Sequence, residues 1–187
     1  MAIYLVRHGE TAWSLHHRHT GSTDIPLNAR GEEQAKELGP RLAGVEFSQV
    51  LASPMRRARE TAELAGVQPT PEITPLLREF DYGEYEGVTS EEIERARPGW
   101  DLWRDGCPGG ESPQQEVCRC RRLLVRLDPK SDRDYALFGH GHALRAVAAA
   151  YLGVPVDLCR HLTLQVASIS ILSQEHDIPA IEAWDLT

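Results

Sequence analysis

Apolar positions along the chain fall into short runs and helical stripes that alternate. Ile3-Tyr4-Leu5-Val6 is a compact apolar run rich in strand formers, and Val45-Glu46-Phe47 through Val50-Leu51-Ala52 contains a second. Tyr135-Ala136-Leu137-Phe138 is a third, and Val166–Ser173 and Ile178–Trp184 read as two more. The first three end at a polar turn that opens a helix, the order an α/β fold requires. Helix starts are marked by caps. Asn28 precedes Ala29–Ala43, and Ser53-Pro54 sets a cap and an N1 proline before Met55–Ala65. Ser112-Pro113, with Gln115 three residues after the serine, resembles a capping box. The helix it opens carries Val117, Cys120, Leu124 and Leu127 on one face, which makes Cys120 a packing residue. Leu144, Val147, Ala148, Tyr151 and Leu152 repeat the stripe over Ala143–Leu152. A mixed sheet with helices on both faces is expected. Gln68–Pro75 and Pro98–Pro113 read as loops of one domain, and no internal repeat is evident.

Composition narrows the function classes. The 187 residues hold 20 Lys plus Arg against 28 Asp plus Glu, a formal charge of −8. That balance disfavours a nucleic-acid partner, which selects for a basic surface. The run Ala2–Val6 stops at Arg7, and Ala146–Val156 is interrupted by Gly153 and Pro155. Both fall short of the roughly 20 apolar residues of a membrane span, so no membrane partner is expected. Cys107, Cys118, Cys120 and Cys159 form no C-x-x-C pair, in a chain large enough to fold without disulfides. A soluble, cytoplasmic protein is the expectation.

Chemistry concentrates where strands end. The first strand runs into Arg7-His8-Gly9-Glu10-Thr11, placing an imidazole and a guanidinium at a sheet's carboxyl edge, where open α/β sheets bind ligands. Ser53-Pro54-Met55-Arg56-Arg57-Ala58 follows the second, with arginines in a helix's first turn, where cations oppose the dipole unless an anion or carboxylate is near. Phe138-Gly139-His140-Gly141-His142 follows the third, again with glycine beside histidine. Together they describe a pocket for a phosphate dianion.

With these residues in place, Leu5-Val6-Arg7-His8-Gly9-Glu10-Thr11 resembles the signature of the histidine phosphatase superfamily, in its phosphoglycerate mutase-like branch. Thr20-Gly21, Asp24-Ile25-Pro26-Leu27, Gly31, Ser53-Pro54, Arg57-Ala58, Glu60-Thr61-Ala62, Leu77-Arg78-Glu79, Gly83, Glu86-Gly87, Gly110-Glu111-Ser112 and His140-Gly141 follow the same pattern in order. The resemblance covers essentially the whole chain. It implies a three-layer α/β/α sandwich with a mixed, mostly parallel sheet, one domain over 1–187 with a small lid-like insertion around 80–112. It further implies that His8 is the nucleophile, forming a phosphohistidine, and that Glu79 is the acid that protonates the leaving group. Arg7, Arg57, His140 and the Gly141 N–H are assigned to the phosphate oxygens. Residue chemistry alone leaves Glu79, Asp81, Glu84 and Glu86 open for the acid, while Arg7 and Arg57 should keep His8 neutral and nucleophilic. Ser14, Thr20, Gly21 and Glu111 are candidates for the substrate pocket, and Trp100 and Trp103 for its wall or for packing under a long loop.

Ser14 stands where the mutases have asparagine, and the compact Gly87–Ser112 segment offers only Arg95, Arg97 and Arg104. Both features resemble the small sugar and acid phosphatases more than the mutases. The expected function is a metal-independent phosphomonoesterase acting on small phosphorylated metabolites, phosphosugars or related acids, with no cofactor and no metal. Phosphoglycerate mutase-type transfer, a non-catalytic phosphoryl-binding module and a zinc hydrolase built on His16-His17-Arg18-His19 and His140-x-His142 are the competitors. Oligomeric state is left open, a homodimer included.

Overall fold

Alternation along the central strands divides their side chains between two cores. The computed structural model describes residues 1–128 and 131–187. Its strands and helices are β1 (Ile3–Arg7), α1 (Ala12–Leu15), α2 (Ala29–Leu42), β2 (Phe47–Ala52), α3 (Arg56–Leu64), β3 (Glu72–Ile73), α4 (Ser90–Ala96), α5 (Leu102–Asp105), α6 (Pro113–Leu124), β4 (Asp134–Gly139), α7 (Gly141–Leu152), β5 (Ile169–Glu175) and β6 (Ile178–Leu186). The sheet order is β3-β2-β4-β1-β5-β6, parallel from β3 to β1 and antiparallel at β5 and β6. Ile3, Leu5, Leu51 and Leu137 pack with Leu123 of α6 and with Leu144 and Val147 of α7. Val6, Val50, Ala136 and Phe138 face the other way, against Leu38 and Leu42 of α2 and Ala62 of α3. Helices therefore cover both faces of a mixed sheet, the expected three-layer α/β/α arrangement.

Register decides where the chemistry lands. Arg7 pairs with Gly139 and Ala52 with Phe138, so β1, β2 and β4 end at one level. The turns carrying His8, Ser53 and His140 consequently leave the sheet side by side. The start of α2 presses against the first of them: a β-carbon at Gly9 would sit 2.4 Å from the Gly31 carbonyl oxygen.

Several boundaries differ from the sequence expectation, each for a local reason. α3 begins at Arg56 with Met55 as its N-cap and no side-chain cap bond, because methionine has no capping oxygen and the Ser53 hydroxyl, bound by His140, reaches only the Met55 N–H at 3.3 Å. α6 has the expected capping box, but it stops at Leu124 and turns Leu123 rather than Leu124 fully into the core, with Leu127 packing from the following turn. β5 starts at Ile169 because Ala167 adopts φ 53 and the Ser168 hydroxyl donates back to the Gln165 carbonyl, which makes a turn of the first three residues. β3, inside the stretch read as a loop, is two exposed residues long, too short for a periodic signal. α5 lies within Pro98–Pro113, started by Asp101, whose carboxylate accepts from the Trp103 N–H at 2.9 Å. Among the described residues no helix is long and apolar enough to cross a membrane.

Candidate active site

His8 follows β1 and is held by main-chain bonds on both sides, its N–H to the Gly139 carbonyl (3.1 Å) and its carbonyl from the Ala167 N–H (3.0 Å). Its ring Nδ1 lies 2.7 Å from the Gly9 carbonyl. A carbonyl oxygen only accepts, so Nδ1 carries the proton and Nε2 keeps its lone pair. Burial, then Arg57, then Arg7 hold the imidazole pKa well below 6.5. The ring is 5 % exposed and lines a cavity of about 220 Å³ with Arg7, Ser14, Thr20, Glu79 and Gly141. A neutral imidazole with a free Nε2 lone pair is the result.

Arg7 supplies the positive wall. Its Nη1 donates to the Leu164 carbonyl, while Nε is buried with no protein partner among the described residues. A buried guanidinium N–H without an acceptor is costly, and an anion in the adjoining cavity would satisfy it. Gly141 gives it room, since a β-carbon there would lie 3.3 Å from Arg7 Cζ.

Arg57 and His140 stand behind this wall. The fully buried Arg57 donates to the carbonyls of Thr20 (2.9 Å), Gly21 (3.1 Å) and Thr23 (3.1 Å), and its Nε to His140 Nδ1 (3.1 Å). Accepting at Nδ1 fixes the other tautomer for His140, whose Nε2–H donates to Ser53 Oγ at 2.7 Å. The two imidazoles meet edge to face, with centroids 5.2 Å apart. The neighbouring Arg56 is neutralised by Glu60 at 2.8 Å, which answers the unfavourable placement of a cation in a first helical turn. Both lone-pair positions of His140 being engaged, it offers no metal a donor. Among the described residues no group of three or more His, Cys, Asp or Glu is arranged to hold a metal ion.

Glu79 arrives on the segment after the 3₁₀ turn Pro75–Leu77 and reaches the first turn of α7. Its carboxylate accepts from the N–H groups of Ala143 (2.8 Å), Phe80 (2.9 Å) and His142 (3.1 Å). Against the opposing effect of burial, its contacts with His142, His140 and the Phe80 amide hold its pKa well below 4.5. Arg119 of α6 braces the segment by donating to the carbonyls of Leu76 (2.9 Å) and Arg78 (2.7 Å).

The weaker pocket candidates separate. Ser14 lines the cavity but is committed to Thr11, closing a capping box at the start of α1. Thr20 also lines it. Gly21 and Glu111 do not: they border a smaller cavity of about 110 Å³ on the other side of Glu79. Gly21 is packed so tightly that a β-carbon would meet Glu86 Oε2 and the Phe80 carbonyl at 2.7 Å. Glu111 is bound to Arg119 and accepts from the Asp81 N–H, a role in shaping the loop. Trp100 and Trp103 border an outer cavity of about 430 Å³ that shares His19, Ser90, His142 and Arg145 with the one that His8 lines.

Sequence reasoning misses Tyr82, Ser90 and Arg145 in this cavity and reads His142, like His17 and His19, only as a zinc candidate. Tyr82 hydrogen-bonds His142 Nδ1 at 2.6 Å, and burial with Arg145 lowers His142 to a pKa of about 4. Arg145 lies over Trp103 at 5.1 Å from the ring centroid. The three-residue step from His142 to Arg145 in the first turn of α7 was the available signal.

The chain is similar to known proteins over most of its length. An acid phosphatase of Mycobacterium tuberculosis is 39 % identical over 99 % of this chain and 92 % of its own length. Sedoheptulose 1,7-bisphosphatase of Saccharomyces cerevisiae is 34 % identical over 82 % of this chain and 68 % of that protein. Among solved structures, an open reading frame from Mycobacterium tuberculosis superimposes with a TM-score of 0.94 at 39 % identity, covering 100 % of this chain and 97 % of that one. A mycobacterial glucosyl-3-phosphoglycerate phosphatase in complex with VO3 gives 0.89 at 28 % identity, covering 100 % and 99 %. Residues 3–187 match the histidine phosphatase superfamily, branch 1, and the chain belongs to that family.

Proposed function

We propose that this protein is a phosphomonoesterase that hydrolyses small phosphorylated metabolites through a phosphohistidine on His8, without a metal. The observation that carries the reading is a free Nε2 lone pair on a neutral, buried imidazole that shares its cavity with the side chain of Arg7. Nε2 attacks phosphorus as the ester P–O bond breaks. Arg7, the Gly141 N–H at the start of α7 and the charge of Arg57 behind them, its Nε held by His140 Nδ1, stabilise the equatorial oxygens. Glu79 manages the proton of the leaving alkoxide and later that of the attacking water. The phosphatase relatives support hydrolysis. The outer cavity, with Glu91, Glu94, Asp101, Arg160 and two tryptophans, fits a polar, hydroxylated leaving group such as a phosphosugar or a related acid. A cytoplasmic setting fits four unpaired thiols.

A panel of phosphometabolites assayed with EDTA present, alongside His8→Ala, tests this. Turnover unaffected by EDTA and an alkali-stable, acid-labile phosphoryl group on the wild type but not on His8→Ala are expected. Turnover retained by His8→Ala overturns the nucleophile, binding without turnover indicates a phosphoryl-binding module, and transfer between glycerate positions indicates a mutase.

A further inference from the structure

Glu79 is the carboxyl placed to protonate a leaving alkoxide, yet its surroundings are built for an anion. His140, the N-cap of α7, makes no side-chain cap bond. Glu79 takes over that task from a distant part of the chain, accepting the N–H groups of the second and third residues of the helix on separate oxygens. The Phe80 N–H shares Oε1, so only Oε2 keeps an open position, with His142 Nδ1 at 3.8 Å.

The charges facing the carboxylate have the same bias. Arg7 from the end of β1, Arg57 from α3 and Arg145 from α7 all interact with it favourably. Arg119 of α6 donates to the Glu79 carbonyl at 3.4 Å. The imidazoles of His8, His140 and His142 are held neutral by burial and by these arginines. Two further acids face the carboxylate, and both have raised pKa values. Burial pushes the Tyr82 phenol up, and burial together with Glu111 does the same to Glu116.

An ionised Glu79 has no proton to give, and an alkoxide leaves poorly without one. We propose that the proton enters with the substrate, bound as the monoanion of the phosphate ester, and that Glu79 Oε2 only relays it. This inference rests on the phosphatase reading above. In the first step the bond from His8 Nε2 to phosphorus forms, the P–O bond breaks with its electron pair on the departing oxygen, and the phosphate proton passes through Oε2 to that oxygen. The products are the phosphohistidine and a neutral alcohol. Water then attacks phosphorus, the N–P bond returns its pair to Nε2, and one water proton passes through Oε2 to the departing phosphate. The enzyme takes up no net proton, and phosphate leaves as its monoanion.

The alkaline limb of kcat/KM then belongs to the ester, whose second pKa is about 6 for an alkyl phosphate. The experiment measures wild-type pH profiles on ethyl, 2-fluoroethyl and 2,2,2-trifluoroethyl phosphate, whose second pKa falls along the series. The limb is expected to move by the full difference between the esters. A limb fixed at one pH across the series, with turnover intact, overturns the inference while leaving the phosphatase reading standing. No turnover of any phosphate ester overturns the phosphatase reading itself. A second arm compares Glu79→Gln on ethyl and 4-nitrophenyl phosphate. A loss of about 100-fold or more on ethyl phosphate is expected, with a much smaller loss on the aryl ester, whose leaving group needs no proton. Equal losses on both overturn the relay.

Discussion

At the scale of single residues, the site works by assigning tautomers. The Gly9 carbonyl makes His8 an Nδ1–H imidazole, and the Arg57 guanidinium makes His140 an Nε2–H imidazole. Two rings of one residue type thus keep opposite nitrogens unprotonated, the arrangement that the proposed nucleophile and its supporting donor need. Arg7 depends equally on a neighbour without a side chain. In Gly141→Ala the new methyl meets Arg7 Cζ at 3.3 Å, so the guanidinium must shift by a few tenths of an ångström. The expected outcome is a fall in kcat/KM on the order of 10-fold with an unchanged urea midpoint, because displaced catalytic groups cost rate steeply. An unaltered kcat/KM would show that Arg7 tolerates the displacement. Arg7, His8, Arg57 and His140 stand out in the sequence because each ends or follows a strand or lies at the start of a helix. Tyr82 could not, because its meeting with His142 depends on how the 80–112 segment folds over α7.

At the scale of elements, α6 does more than fill the core. Arg119 is a buried tie between this helix and the segment carrying Glu79, and it is itself gripped by Glu111 and Glu116. Replacing it by methionine keeps the volume but strands three carbonyls and two carboxyls. Arg119→Met is expected to lower stability by about 3–5 kcal/mol in urea unfolding, the usual cost of breaking a buried pair. It should also reduce kcat on alkyl esters more than on aryl esters, since Glu79 loses its support. A loss in stability with both substrates equally affected would reduce Arg119 to a packing role. The capping box at Ser112 and the central strands were legible because local chemistry fixes them. β3, α5 and the true start of β5 were not, since each is set by a neighbour or by one left-handed residue. The cross-chain capping of α7 by Glu79 leaves no local trace at all.

At the scale of the whole molecule, stability and activity pull toward different pH. His8, His19, His140 and His142 all have folded pKa values below the unfolded value near 6.5. The unfolded chain therefore binds protons that the fold refuses, and stability falls as pH drops below about 6.5. Glu79, also lowered, adds a further loss below its unfolded value of 4.5. Glu116 has the opposite sign: its raised pKa costs stability as pH rises above 4.5, so it offsets one of the four histidines on the way down. Urea midpoints are expected to fall steadily from pH 7 to pH 5, and a flat profile would contradict the buried neutral imidazoles. Esters are best protonated in that same interval, which places useful activity on the shoulder of the stability curve.

The reach of Glu79 to α7 carries one more consequence. On the proposed mechanism, a mutation that removes the Glu79 carboxylate silences the chemistry and also unlaces the first turn of the helix that presents Gly141 and Arg145. Inactive descendants of this protein would then be frayed as well as inert, so a lineage could not easily retire the chemistry and retain the scaffold by change at that position.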